Sequence, residues 1–121
     1  MEGLHLTADL AACTAVPAMA DPQALRTLCL GAVDAAGLTA VGELFHRFAA
    51  PGGVTGVVLL AESHLAVHTW PERNAVTVDA YVCNVSVDNS AAALLLIERL
   101  IAGFAPGHVQ RQRLQRGGEP A

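Results

Sequence analysis

The segment at residues 76–83 constrains the fold most, because apolar and polar residues alternate along it without a break. Successive side chains of a β-strand point to opposite faces, so the pattern predicts a strand with one apolar and one polar face. The apolar set fits a face that helices cover. The polar set would place a hydroxyl, a carboxylate, a phenol and a thiol on the other face: Thr77, Asp79, Tyr81 and Cys83.

Seven other segments carry helix or strand patterns, and their order limits the architecture. One helix is predicted to begin at Pro22 and end at Gly37, and a second to follow Asp88 or Asn89 and end near Gly103. The order β-α-β-β-β-β-α-β lacks a regular βαβ alternation. It predicts an α+β fold, a two-layer α/β sandwich with a largely antiparallel sheet and two helices on one face. The remaining strands are predicted at residues 4–10, 38–48, 54–60, 65–69 and 108–114.

Both predicted helices carry an apolar stripe at helical spacing. The stripe of the first includes Cys29, so we expect this thiol to pack in the core and not to react. The stripe of the second is predicted to turn Leu94, Ile97, Ile101 and Phe104 toward the sheet. The opposite face of the sheet would then be free for a functional site or a second subunit.

The composition favours a single domain over residues 1–121 that associates with another copy. Hydrophobic residues make up 53% of the 121 positions and charged residues 15%, which leaves little material for a large polar surface. The net charge of −4 gives no general basic field, so we expect no nucleic-acid partner. The basic cluster Arg111, Arg113 and Arg116 is interpreted as a solvated edge strand that its charge protects from pairing.

Hydropathy and cysteine usage predict a cytoplasmic protein. No apolar run approaches the roughly 18 residues that a membrane span needs, and no basic segment precedes an apolar core as in a signal peptide. The three cysteines, Cys13, Cys29 and Cys83, form no CxxC pair. They argue against a disulfide framework and against a zinc knuckle, so we expect reduced thiols and no metal site.

The candidate chemistry begins at Ser63, which follows Glu62 at the predicted break between two strands. Its hydroxyl is placed to attack the preceding carbonyl, and so to break the Glu62–Ser63 bond without another enzyme. In the next strand His64 and His68 share a side. Pairing of this strand with residues 76–83 would bring His68 within reach of the polar face that carries Cys83.

Each of these residues also has a purely structural interpretation. Serine is common in turns, an isolated histidine is most often structural, and a lone cysteine is most often a small buried hydrophobe. Two histidines four residues apart suit zinc on a helix, but His64 and His68 lie in a predicted strand. No G-x-S-x-G elbow surrounds Ser63, which disfavours a hydrolase. The residues alone leave these alternatives open.

The string E-S-H-L-A-V-H-T-W-P-E at residues 62–72 resembles the small prokaryotic S-adenosylmethionine decarboxylases. Val78-Asp79, Cys83, residues 45–48 and the glycine-rich residues 52–58 share this resemblance, which extends over nearly the whole chain. It implies the same two-layer sandwich, paired as a homodimer or as a dimer of cleaved αβ units. It also implies a proenzyme that cuts itself between residues 62 and 63.

In this family the serine at the cut becomes the cofactor, a pyruvoyl group. The resemblance implies that Ser63 attacks the Glu62 carbonyl in an N→O acyl shift and that His68 helps to remove the Ser63 α-proton. Elimination then frees residues 1–62, and hydrolysis leaves pyruvoyl on residues 63–121. Thr55 occupies a position that is often serine in the family and would assist processing through its hydroxyl.

The implied reaction converts S-adenosylmethionine to its decarboxylated form and CO2 for spermidine biosynthesis. The substrate amine forms a Schiff base with the pyruvoyl carbonyl, which accepts electrons as CO2 leaves. Cys83 matches the residue that donates a proton to the substrate carbon. A thiol in water has a pKa near 8.5 and is mostly protonated at neutral pH, as a general acid must be. Phe48 matches an aromatic that stacks on adenine, and Glu72 would face a cationic substrate.

The chain departs from the family around the substrate. Arg73-Asn74-Ala75 replaces an aromatic-glycine-aromatic stretch, and Asn84 replaces a glycine after the cysteine. Arg73 is interpreted as a solvated residue. Two alternatives follow: a pyruvoyl-dependent arginine or ornithine decarboxylase on the same scaffold, and an unprocessed paralogue that binds without catalysis.

Overall fold

One six-stranded antiparallel sheet organises the computed structural model, which describes residues 2–118. The strands lie in the order β2-β3-β4-β5-β1-β6. The predicted α+β sandwich is confirmed, with short 3-10 helices at Pro17–Met19 and Pro71–Arg73 that the sequence patterns did not indicate. The elements are β1 (Glu2–Ala11), α1 (Pro22–Ala35), β2 (Ala40–Arg47), β3 (Val54–Leu60), β4 (Ser63–Trp70), β5 (Ala75–Cys83), α2 (Ser90–Phe104) and β6 (His108–Gly117).

The alternation in β5 separates the two faces of the sheet as predicted. The apolar residues are buried, whereas the four polar ones are half-buried on the open face, away from the helices. The same period-two pattern runs through the neighbouring strands β1, β3 and β4. The core therefore lies between one sheet face and the two helices, and the other face keeps its polar side chains.

The helices begin and end largely where the sequence predicts. The Asp21 side chain accepts a hydrogen bond from the Gln23 backbone N–H, and Gly37 adopts a φ of +76° just after α1 ends. Leu94 was expected on the inner stripe of α2, and this is wrong because it is 51% exposed. The buried stripe runs through Ala93, and the next residue is rotated about 100° around the helix axis.

The edge strand β6 is exposed along nearly its whole length, as expected of a solvated edge. Two of its arginines nevertheless have partners. Arg111 forms an ion pair with Glu98 of α2, and Arg116 reaches across the open face to Tyr81 of β5. Within residues 2–118, no helix is long and apolar enough to cross a membrane.

A buried threonine joins β3, β4 and the segment before α1. The Thr69 hydroxyl accepts a hydrogen bond from the Val54 N–H at 2.8 Å and donates one to the Met19 carbonyl at 2.7 Å. Thr69 itself is 4% exposed. Because both partners are backbone groups shielded from water, this hydroxyl satisfies two groups that would otherwise be unpaired.

Replacing Thr69 with valine should lower the free energy of unfolding by about 2 kcal/mol, since it leaves the Val54 N–H and the Met19 carbonyl without this partner. Urea unfolding followed by circular dichroism would measure the loss. Thr27→Val is the matched control, because the Thr27 hydroxyl bonds within an exposed helical turn. The control should change stability by about 0.5 kcal/mol or less. Equal losses in the two variants would contradict the role of Thr69.

Candidate active site

Ser63 opens β4 directly after a two-residue turn, Ala61-Glu62, that connects it to β3. Its φ of +157° is a conformation that residues with a side chain seldom adopt. The Glu62 carboxylate accepts a hydrogen bond from the Thr39 N–H at 3.0 Å. The Glu62 carbonyl accepts one from the Cys83 N–H at 2.9 Å. The Glu62–Ser63 peptide bond is therefore fixed on two sides, and its carbonyl is polarised by a backbone donor.

A cavity of about 540 Å³ lies at this end of the sheet, lined among others by Glu62, Cys83, Val85 and Asn89. Cys83 is half-buried at the C-terminal end of β5, beside the turn that precedes Ser63. Glu62, Ser63 and Cys83, three of the residues that the sequence singled out, therefore share one end of the sheet.

Side-chain amides shape the loop that closes this cavity. Oδ1 of the Asn84 side chain accepts a hydrogen bond from the Asn89 backbone N–H at 2.7 Å, and its Nδ2 donates to the Ser90 hydroxyl at 3.0 Å. The Asn89 side chain in turn donates to the Cys83 carbonyl at 2.8 Å. The sequence marked Asn84 only as a departure from glycine. The spacing of two asparagines around a short loop before a helix was the signal that could have indicated this role.

The loop also caps α2, although not through the residue at the N-cap position. Asn89 occupies that position without a side-chain capping bond, and the Asp88 carboxylate accepts from the Ser90 N–H at 2.9 Å. This hydrogen bond lowers the pKa of Asp88. Both residues that the sequence offered as caps therefore contribute to the helix entry, each through a different contact.

Thr55 and His68 lie at the opposite end of β4. They are paired across β3 and β4, and the Thr55 hydroxyl forms a hydrogen bond with Nδ1 of His68 at 3.1 Å. His68 also stacks on Trp70, with ring centroids 6.1 Å apart, and lies opposite Thr77 of β5. The predicted proximity of His68 to the polar face of β5 is confirmed at Thr77, but not at Cys83.

Phe48 and Glu72 complete this second group. A cavity of about 270 Å³ is lined by Phe48, Thr55, His68, Trp70 and Glu72, together with neighbouring backbone. The Phe48 ring is 50% exposed, and Glu72 is exposed in the 3-10 helix after Pro71. Arg73 follows Glu72 and is exposed as well. The aromatic ring and the carboxylate therefore border the same space as the His68 imidazole.

The two groups do not meet within one copy of the chain. Ser63 and His68 are five residues apart on one extended strand, which corresponds to about 17 Å. Glu62, Ser63 and Cys83 lie at one end of β4 and are called the Ser63 half of the candidate site; Phe48, Thr55, His68 and Glu72 lie at the other end and are called the His68 half.

A polar network occupies the open face between the two halves. His5 Nε2 lies 3.0 Å from an Asp79 carboxylate oxygen, and Arg116 donates to His5 Nδ1 at 3.3 Å. One potential ligand atom from each of His5, His64 and Asp79 lies within 4.8 Å of the others. An Nδ1 that accepts from Arg116 leaves the proton of the neutral ring on Nε2, where it is donated to Asp79. In this tautomer His5 has no lone pair at Nε2, so the cluster fits a hydrogen-bonded network better than a metal site.

The three cysteines differ sharply in their surroundings. Cys13 and Cys29 are buried, and burial raises the pKa of both thiols. Burial, with a contribution from Glu43, raises the pKa of Cys29 to about 12. Cys83 is the one thiol of the three that is partly accessible, and its role in catalysis stays a prediction.

The family model described as "S-adenosylmethionine decarboxylase" matches residues 4–117 of this chain. S-adenosylmethionine decarboxylase proenzymes from Aquifex aeolicus and Hydrogenobaculum are similar, at 38% identity over 117 residues and 37% over 116; each alignment covers 95% of this chain and 81% of the relative. The proenzyme from Symbiobacterium thermophilum is 41% identical over 115 residues, which is 95% of this chain and 83% of that protein.

The fold is similar to a solved structure as well. The crystal structure of the adenosylmethionine decarboxylase from Aquifex aeolicus superposes with a TM-score of 0.86 at 36% sequence identity. The match covers 98% of this chain and 92% of that one. The likeness therefore includes both ends of β4 and the residues around them.

Proposed function

This chain belongs to the S-adenosylmethionine decarboxylase family, and on that premise we propose that it is a proenzyme that cuts itself between Glu62 and Ser63. The observation that carries the proposal is the hydrogen bond from the Cys83 N–H to the Glu62 carbonyl oxygen at 2.9 Å. That oxygen gains negative charge when the Ser63 hydroxyl attacks. A fixed backbone donor at this distance stabilises the charge, as in an oxyanion hole.

The cut proceeds through groups that this chain supplies. The Ser63 hydroxyl attacks the Glu62 carbonyl carbon, and the acyl group moves from nitrogen to oxygen to give an ester. A base then removes the Ser63 α-proton, and the bond between the Ser63 Cβ and the ester oxygen breaks. Residues 1–62 leave with a main-chain α-carboxylate at Glu62. Water hydrolyses the dehydroalanine that remains, which releases ammonia and leaves pyruvoyl at the start of residues 63–121. The His68 imidazole is the proposed base, assisted by the Thr55 hydroxyl with which it forms a hydrogen bond.

A second copy of the chain supplies this base. His68 of the same copy lies about 17 Å along the strand from Ser63, too far for direct proton transfer. In a two-fold symmetric dimer each contact occurs twice, so one copy's Ser63 half can meet the other's His68 half at two equivalent sites. A two-fold axis that crosses β4 between the halves, with the open faces of the sheets stacked, gives this arrangement.

The open face has the character that such a dimer requires. Leu44, Leu59 and Leu114 are 74%, 52% and 55% exposed in a single copy. Their register places them on the open face, where Leu44 is paired with Val57, Leu59 with His64 and Leu114 with His5. Apolar side chains around a central polar network are typical of a surface that a partner covers. Stacking would shield the network from water and join the two cavities into a larger one.

In the cut enzyme the pyruvoyl group supplies a carbonyl that withdraws electrons from the substrate as CO2 leaves. The Cys83 thiol then gives its proton to the substrate carbon that has lost the carboxylate. Phe48 presents a half-exposed ring on which adenine can stack, and Glu72 presents a carboxylate to the sulfonium cation. These groups and the names of the relatives support S-adenosylmethionine as substrate over arginine or ornithine. The product would serve as aminopropyl donor for spermidine biosynthesis.

The intact mass of the purified protein tests this function. We expect two chains, residues 1–62 and 63–121, in place of one chain of 12.5 kDa. Cyanoborohydride with S-adenosylmethionine should add the mass of the substrate to the second chain only. Arginine and ornithine are the matched competitors, and trapping of either alone would move the assignment to the alternative decarboxylases. A single uncut chain would favour the paralogue that binds without catalysis.

A further inference from the structure

We propose that Tyr81 is a positioning residue for Cys83, its phenol hydroxyl donating a hydrogen bond to the thiol sulfur on the open face of β5. The inference deepens the proposed function, on which it rests for the role of Cys83 as proton donor. The sequence placed both side chains on one face but gave no role to Tyr81. The side chains around it give it one.

A missing side chain in the neighbouring strand makes room for the phenol. Gly3 is paired with Cys83 across β1 and β5, and a Cβ built on Gly3 would lie 2.7 Å from Cε1 and 2.8 Å from the hydroxyl oxygen of Tyr81. The Tyr81 ring therefore leans over Gly3, toward the end of the strand that carries Cys83. Directly paired residues in an antiparallel sheet have their Cβ positions about 5 Å apart. The hydroxyl beside Gly3 is thus within hydrogen-bond reach of the Cys83 sulfur.

Other open-face residues hold the ring in this orientation. The His5 and His64 rings flank it, with centroids 5.6 Å and 5.7 Å away, and the Arg116 guanidinium carbon lies 5.5 Å from its centroid. Burial and the hydrogen bond with Cys83 raise the pKa of Tyr81, while Arg116 opposes them. The phenol therefore keeps its proton at neutral pH and can act as a donor.

The hydrogen bond acts on the thiolate that follows catalysis. When the S–H bond of Cys83 breaks and the proton joins the substrate carbon, its electron pair remains on sulfur. The Tyr81 hydroxyl donates to that anion but keeps its own proton, and water later returns a proton to sulfur. Hydrogen bonds to charged groups are stronger than those between neutral groups, so this contact favours departure of the proton and fixes the direction from which it leaves.

The alkylation rate of Cys83 by iodoacetamide, measured against pH in the uncut Ser63→Ala protein, tests the contact without any decarboxylation. Cys13 and Cys29 are 6% and 1% exposed, so Cys83 is the thiol that reacts. Adding Tyr81→Phe should move the pH of half-maximal rate upward by about one unit, since one unit corresponds to 1.36 kcal/mol. Gly3→Ala, which displaces the phenol without removing its hydroxyl, should shift it the same way.

The control must keep the charged and titratable groups around the pair: His5, His64 and Arg116 beside the Tyr81 ring, Asp79 bonded to His5, and Glu62, which lines the same cavity as Cys83. Thr7→Val leaves all of these in place and removes a hydroxyl from the same face, opposite Asp79 and away from Cys83. Its profile should match that of the Ser63→Ala parent. An unchanged profile in Tyr81→Phe, or an equal shift in Thr7→Val, overturns the proposal.

A second readout separates this inference from the proposed function. In the cut enzyme Tyr81→Phe should lower kcat about 10-fold and leave KM within about twofold, since the contact acts on proton transfer. A shifted alkylation profile with unchanged kcat would support the Tyr81–Cys83 contact and overturn Cys83 as the proton donor. A shift in neither would overturn the contact and leave self-cleavage as proposed.

Discussion

Replacing Ser63 with alanine should leave a single chain of 12.5 kDa and abolish decarboxylation. Alanine has no hydroxyl to attack the Glu62 carbonyl, so no ester forms and no pyruvoyl group is made. Removal of a nucleophile of this kind costs several orders of magnitude in rate, and here it removes the cofactor as well. Mass spectrometry and release of labelled CO2 measure the two losses.

Two controls show that the loss belongs to the hydroxyl and not to the fold. Ser63 is half-buried, so Ser63→Ala should change the free energy of unfolding by about 1 kcal/mol or less, which urea unfolding will show. Hydroxylamine cleaves esters, so it should accelerate the splitting of freshly made wild-type protein and leave Ser63→Ala intact. Decarboxylation by the uncut variant would contradict the pyruvoyl mechanism.

The fold was largely predictable because local patterns and burial agree along this chain. The alternation at residues 76–83 fixed the two faces of β5, and Asp21, Pro22 and Gly37 marked the ends of α1. Leu94 was misplaced because a stripe chosen by residue type alone cannot distinguish positions one residue apart on a very apolar helix. One misplaced residue does not change the predicted architecture, because the patterns of the other helices and strands agree on it.

The sequence proposed the residues of the candidate site one by one, but it did not predict their arrangement. The resemblance selected Ser63, His68 and Cys83, and it treated His68 as the base for Ser63. The rise per residue of a strand places Ser63 and His68 toward opposite ends of β4, too far apart for direct contact. Contacts between distant segments, such as Tyr81 over Gly3, depend on strand register, which no single segment encodes.

Mixing two inactive variants should restore cleavage if each site is built from two copies. Ser63→Ala retains His68, and His68→Ala retains Ser63, Glu62 and Cys83. In a mixed dimer the Ser63 of the His68→Ala chain faces the intact His68 of its partner. With statistical assembly, about half of the His68→Ala chains should be cut and about a quarter of wild-type activity should return, because half of the dimers are mixed and each holds one complete site.

Co-expression with two different tags, followed by intact mass and activity, measures both outcomes. The matched control mixes Ser63→Ala with Cys83→Ala, two substitutions in the same half of the site. Neither site of that mixed dimer has both Ser63 and Cys83, so no activity should return. If the tags co-purify as a dimer and the His68→Ala chain stays uncut, the base does not come from a second copy. The roughly 17 Å between Ser63 and His68 would then have to close within one chain, which the extended β4 does not allow without breaking its pairing to β3 and β5.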